Sequence, residues 1–209
     1  MTAFGRERIE ELMRALDQAL ERRETTADVY LVGGAAIALS FDAARTTRDL
    51  DAVFAPTAEV RAAAAEVAGE FELPEDWLND AVKGFIPPTP DAQQIVVYES
   101  EHLRVCTAGL EHLLAMKIAA ARVEQDRGDL ELLVSALGIS TVEQALDIAT
   151  TCLGPGYPIP PRAQYLLGEI LEDAETPPKV APWSSPSTTP KLSLQTFDAP
   201  SRYDGPYLS

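Results

Sequence analysis

A chain of 209 residues with 17 lysines and arginines against 33 aspartates and glutamates carries a formal charge of −16. That balance is the reverse of the basic footprint by which proteins hold nucleic acid broadly through its phosphates, and it favours a basic protein partner, a cationic small substrate or simple solubility. Residues 1–8 are polar and no long apolar run follows, so neither a signal peptide nor a membrane span is expected; one or two domains in the cytoplasm are.

Residues 5–23 read as an amphipathic helix, with Ile9, Leu12, Met13, Leu16 and Leu20 on one stripe. Residues 29–32 form an apolar strand that breaks at Gly33-Gly34. Without a Cβ these glycines can take positive φ and let backbone approach a ligand closely. A helix over 35–41 aims its free N–H groups at the same place, which suits a phosphate. A polar loop then leads to a strand over 50–54, headed by Asp49 and Asp51. Strand alternation points these two carboxylates one way and Leu50 the other. Two such charges repel unless a cation lies between them, and Mg2+ (or Mn2+) takes one or two carboxylates together with substrate phosphates. A phosphate cradle followed by a metal-binding Asp-x-Asp, each at a strand end, is the pattern of a nucleoside triphosphate site.

Pro56 ends this strand and Thr57 is placed to cap a helix over 58–69. Pro74 opens a short helix through Trp77, Leu78 and Val82, and Gly84 with Pro87, Pro88 and Pro90 makes a loop bordering the site. Residues 94–98 and 103–106 read as hairpin strands around Glu99-Ser100-Glu101. A helix over 109–122 carries Leu110, Leu113, Leu114, Lys117 and Ala121 on its inner stripe. Lys117 thus falls where an apolar side chain belongs; its ammonium either snorkels to solvent or needs an anion, which site carboxylates and phosphates can supply. The next helix turns Leu130, Leu133, Val134 and Leu137 inward, with Asp126 one turn before Leu130 and Asp129 beside it, positions that equally suit capping and dipole roles. Ser140 and Glu143 fit a capping box for a helix to Thr151, and a last helix ends near Glu172. Residues 174–209, with seven of the sixteen prolines, read as a disordered or extended tail. Cys106 and Cys152 are expected to be buried free thiols, and the isolated His102 and His112 are not expected to bind metal.

Gly33-Gly34 followed by Arg45-Thr46-Thr47-Arg48-Asp49-Leu50-Asp51 resembles the signature of the DNA-polymerase-β-type nucleotidyltransferase superfamily. With Glu111-His112-Leu113-Leu114-Ala115-Met116-Lys117 and the stretch from Asp126 to Leu130, the chain resembles the AbiEii/MenT-like nucleotidyltransferase toxins over roughly residues 25–172. The resemblance implies an α/β (α+β) fold: a small mixed-sheet nucleotidyltransferase core over 1–107 and a helical C-terminal region, 108–173, packed on it. It implies Mg2+-dependent transfer of a nucleoside monophosphate from a triphosphate. Asp49 and Asp51 would hold the metal, Gly33 and Gly34 would position phosphates, and Arg48 and Thr47 would lie at the nucleotide. Lys117 would face the pocket with Asp126 or Asp129. Superfamily enzymes usually carry a third carboxylate on a neighbouring strand; Glu99 is the residue available for it, and is a turn residue otherwise.

The acceptor implied is the 3′ end of tRNA, the protein being the toxin of a toxin–antitoxin pair with a cognate antitoxin protein. RNA would be reached through local basic patches: Arg45/Arg48, Lys117/Arg122/Arg127, or Arg6/Arg8/Arg14/Arg22/Arg23. Thr47 sits where a phosphoryl group would repel the nucleotide, a way some relatives are silenced. The alternatives are a small cationic acceptor, a protein hydroxyl, or nucleotide binding without turnover.

Overall fold

The computed structural model describes residues 3–174. In chain order these form α1 (Arg6–Glu21), β1 (Ala27–Leu31), α2 (Gly33–Ser40), β2 (Leu50–Ala55), α3 (Thr57–Glu70), β3 (Leu78–Asn79), a 3-10 turn (Ala81–Phe85), β4 (Ile95–Glu99), β5 (Leu103–Thr107), α4 (Leu110–Ala120), α5 (Val123–Leu137), α6 (Val142–Leu153) and α7 (Pro161–Ala174). The strands make one mixed sheet in the order β3-β2-β1-β5-β4. β1 runs antiparallel to β2 and parallel to β5, β2 runs parallel to β3, and β4 closes the edge antiparallel to β5. This is the expected α/β class with a small mixed sheet.

Alternation along the strands builds two cores. Val29, Leu31, Leu50, Ala52, Phe54, Leu103 and Val105 point to the face covered by α1 and α3, where the predicted stripe of α1 is fully buried. Tyr30, Val32 and Cys106 point to the opposite face, which packs against α4, α5, α6 and α7. One short apolar element binds the layers together. α2 gives Ala35, Ala38 and Leu39 to the first core and Ala36 and Ile37 to the second. Among the described residues no single helix is long and apolar enough to cross a membrane. Both cysteines are buried free thiols, as expected, and burial pushes the Cys152 thiol up to about 11.

Several local expectations differ from what is observed. The stretch after Pro74 is not a helix through Val82. Leu78–Asn79 pairs with Leu50–Asp51, Leu50 donates its N–H to the carbonyl of Trp77 at 2.7 Å, and only then does the 3-10 turn begin. The Trp77 indole, 1% exposed, donates to the carbonyl of Ala64 at 2.9 Å, so packing against α3 fixes the segment rather than local helix propensity. Thr57 is the first residue of α3 and not its cap; its hydroxyl donates to the Phe54 carbonyl at 3.2 Å. The capping box of α6 is shifted by one residue, to Thr141 and Gln144. The expected tail lies outside the described residues, apart from Ala174 at the end of α7.

Candidate active site

β1 delivers its chain straight into α2 through Val32, whose N–H donates to the carbonyl of Asp51 at 2.9 Å. This bond ties the glycine turn to the start of β2. Gly33 has φ +60°, the left-handed region where a side chain is strained. A Cβ built on Gly33 would lie 3.5 Å from Oδ2 of Asp51, so the carboxylate sits directly over the helix N-terminus. At Gly34 a Cβ would come within 2.8 Å of Thr47 Oγ1 and 3.1 Å of Thr47 Cβ; glycine is needed there because Thr47 occupies the space. Thr47 in turn donates from its hydroxyl to the carbonyl of Asp49 at 3.0 Å. Its backbone exchanges two hydrogen bonds with Phe4, at 2.7 and 3.0 Å. The loop carrying Asp49 is therefore held from both sides.

Asp49 and Asp51 are close enough to repel. The Asp49 carboxyl is raised above its ordinary range, first by burial, then by the charges of Asp51 and of Asp76, while Arg122 pulls the other way. A group in that state is one that a cation relieves. Among the described residues no cluster of three or more His, Cys, Asp or Glu could hold a metal, so the protein offers a pair of carboxylates. Two carboxylates plus phosphate oxygens fit Mg2+, which keeps part of its shell from water and substrate.

Asp51 opens into a cleft of about 330 Å3, lined also by Gly33, Val82, Phe85, Lys117 and Arg122 among others. Lys117 is buried, as its helical register requires, and its Nζ lies 2.7 Å from Asp126 Oδ1 and 2.8 Å from Asp129 Oδ2. Both aspartates thus meet the lysine. Arg45, from the loop ahead of β2, reaches Asp129 at 2.9 Å, and Arg122 reaches Asp126 at 3.3 Å. Burial alone would push the Asp126 carboxyl up, but the hydrogen bond and charge of Lys117 with the charge of Arg122 outweigh it, and the net shift is downward. Arg122 reaches this place because Ala121 adopts a left-handed corner, φ 45°, between α4 and α5.

Glu99 is not brought to the site. It ends β4 at the far edge of the sheet, 59% exposed, and its nearest cation is Arg104 at 3.6 Å. Arg48 is exposed beside Asp49. The other basic clusters are largely engaged. Arg127 is paired with Glu131, Glu169 and Asp173, and Arg22 and Arg23 share Glu66.

Residues 7–154 match the model of a family described as a nucleotidyltransferase of unknown function (DUF6036). The chain belongs to this family. The nucleotidyltransferase is also similar to an antigenic nucleotidyltransferase-like protein from Paracoccidioides brasiliensis, with 14% identity, a TM-score of 0.44, and coverage of 84% of this chain and 92% of that one. No curated protein matches.

Sequence reasoning missed a second polar group in this nucleotidyltransferase. Asp91 accepts from the Tyr30 hydroxyl at 2.6 Å, from the N–H of Gly109 at 2.8 Å and from the N–H of Gln93 at 2.9 Å. His112, buried at the start of α4, has Nε2 2.8 Å from the Thr89 carbonyl and Nδ1 3.6 Å from Asp91. These contacts fasten the proline-rich loop to β1 and α4. Asp91 and Tyr30 are 61 residues apart, and no local pattern joins them. Asp76, near enough to raise Asp49, was likewise unmarked.

Proposed function

We propose that the protein is a Mg2+-dependent nucleotidyltransferase that moves a nucleoside monophosphate from a nucleoside triphosphate to an acceptor hydroxyl. The observation that supports the reading is the seat of Asp51 against Gly33: a carboxylate lies on a positive-φ glycine at a helix N-terminus, with Lys117 and Arg122 lining the same cleft. Asp49 and Asp51 would hold Mg2+ or Mn2+, which supplies charge neutralisation at the triphosphate. The Gly33 and Gly34 backbone would bind the phosphates through N–H groups, and Arg48 and Arg122 would offset their charge. Asp126 and Asp129 hold Lys117 at the cleft wall in a fixed direction. Positioning and electrostatics then account for most of the acceleration.

By its resemblance the acceptor to test first is the 3′ end of tRNA, with the protein acting as the toxin of a toxin–antitoxin pair. A second reading, a small cationic acceptor, is favoured by the charge of −16 and by the ion-paired state of most arginines that RNA would need.

The test is transfer of label. Purified protein, Mg2+ and each α-labelled NTP are incubated with total tRNA, and separately with a cell extract. Label on tRNA that disappears in Asp49→Asn and Asp51→Asn supports the first reading. Label on a small molecule supports the second. Nucleotide binding with no transfer to any acceptor would overturn the enzyme reading and leave a nucleotide-binding protein.

A further inference from the structure

The face of the sheet that carries Asp51 holds a second cavity, of about 340 Å3. Its floor is Asp28 and Tyr30 of β1 with Val53 of β2, and its roof is the loop with Pro87, Pro88 and Pro90. Val53 is two residues along the strand from Asp51, so the two cavities are neighbours, about 7 Å apart at the backbone. The 3-10 turn divides them, giving Val82 to the first and Lys83 to the second.

The charges of this second cavity point one way. Lys83 is held away from the cavity's carboxylates, with Nζ 2.5 Å from Asp80, which Arg61 shares at 2.8 Å, and a hydrogen bond to Thr57 Oγ1 at 3.2 Å. Asp91 accepts three hydrogen bonds, from the Tyr30 hydroxyl and the N–H groups of Gln93 and Gly109, which fix it in place. Asp28, half-buried, takes part in no ion pair among the described residues, and Arg104, its neighbour in register on β5, turns to Glu99 instead. A carboxylate left over beside an aromatic ring and proline walls disfavours phosphates and attracts a cation with an apolar body.

We infer that this cavity binds a small organic cation, an ammonium or guanidinium on an apolar body, its charge on Asp28 and its body between Tyr30, Val53 and the proline loop. The binding requires the fold alone; the further role of acceptor, suggested by the adjoining catalytic cleft, rests on the small-acceptor reading above.

The test is calorimetric and NMR titration of the full chain with tyramine, beside tyrosol, which has the same body with a hydroxyl in place of the ammonium. Tyramine should bind roughly tenfold or more tightly than tyrosol, the usual advantage of a charge-assisted hydrogen bond. Asp28→Asn should bring tyramine down to the tyrosol level, and Val53→Trp, which fills the cavity, should weaken both. Thermal denaturation of each variant shows that it is folded. Equal binding of tyramine and tyrosol, an unchanged Asp28→Asn, or no binding of tyramine, agmatine or spermidine at millimolar concentration overturns the inference. Titration with Mg2+ and each NTP keeps the two sites apart: Asp49→Asn should lose nucleotide and keep tyramine. Loss of nucleotide binding from the parent protein would sink the transferase reading and leave the cation site standing.

Discussion

At the scale of single residues, the two glycines have separable duties. Gly33 is required by its backbone angle, and Gly33→Ala should destabilise the fold by about 1–2 kcal/mol in chemical denaturation. Gly34 is required by what lies above it. Gly34→Ala places a methyl against Thr47, so the loop bearing Asp49 must shift, and the expected outcome is weakened Mg2+–NTP binding in a titration with little change in denaturation midpoint. Asp49 adds a pH dependence. Because its carboxyl is raised, protons compete with the metal as pH falls into its range, and Mg2+ affinity should drop by up to about tenfold per pH unit there. Asp51→Asn, which removes one of the two repelling charges, should bring the midpoint of that profile down.

The element scale is where the buried ion network belongs. Lys117 sits on α4, its aspartates on α5 and Arg45 on the loop ahead of β2, so one set of charges joins the helical half to the loop that carries Asp49. Lys117→Met leaves two buried carboxylates with only their arginines and should cost about 3 kcal/mol in urea unfolding. The acid limb provides a second check. Asp126 is depressed in the folded state, so its stabilisation is complete above the unfolded value near 4 and is lost as pH falls through the folded one. The parent should therefore lose stability on acidification more steeply than Lys117→Met.

This is also the scale at which the sequence was readable or not. The strand–glycine–helix–strand unit and the Asp-x-Asp were legible because they are contiguous and each residue's duty follows from local geometry. The inward register of Lys117 announced a buried partner, and both candidate aspartates serve. The segment after Pro74 was misread because proline at a helix start is a local signal, whereas the pairing of Leu78–Asn79 with β2 and the anchoring of the Trp77 indole on α3 are distant contacts. Glu99 was nominated for its chemistry, but strand order decides its distance, and the sheet carries β4 to the opposite edge from β3. The Asp91 cluster was invisible for the same reason.

For the whole molecule, the charge of −16 limits how an RNA could be held. Among the described residues Arg48 and Arg122 are the exposed cations beside the site; Arg45 is half-buried against Asp129, and Arg122 is shared with Asp126. Two phosphate contacts to a single strand give a log–log salt slope of about −1.4. If tRNA binds, its affinity measured across a salt series should follow a slope that shallow. A steep slope would show a basic surface beyond the residues named here and would favour the RNA acceptor over the small cation.

The bridge between Phe4 and Thr47 bears on where a minimal fragment can begin. The family match starts at residue 7, and every residue of the candidate site lies after it, so a clone trimmed to that boundary looks complete on paper. Yet Phe4 is buried, 1% exposed, and supplies both backbone bonds that steady the loop over Gly34. An expression boundary drawn at the family match would discard the clamp while keeping every residue it clamps.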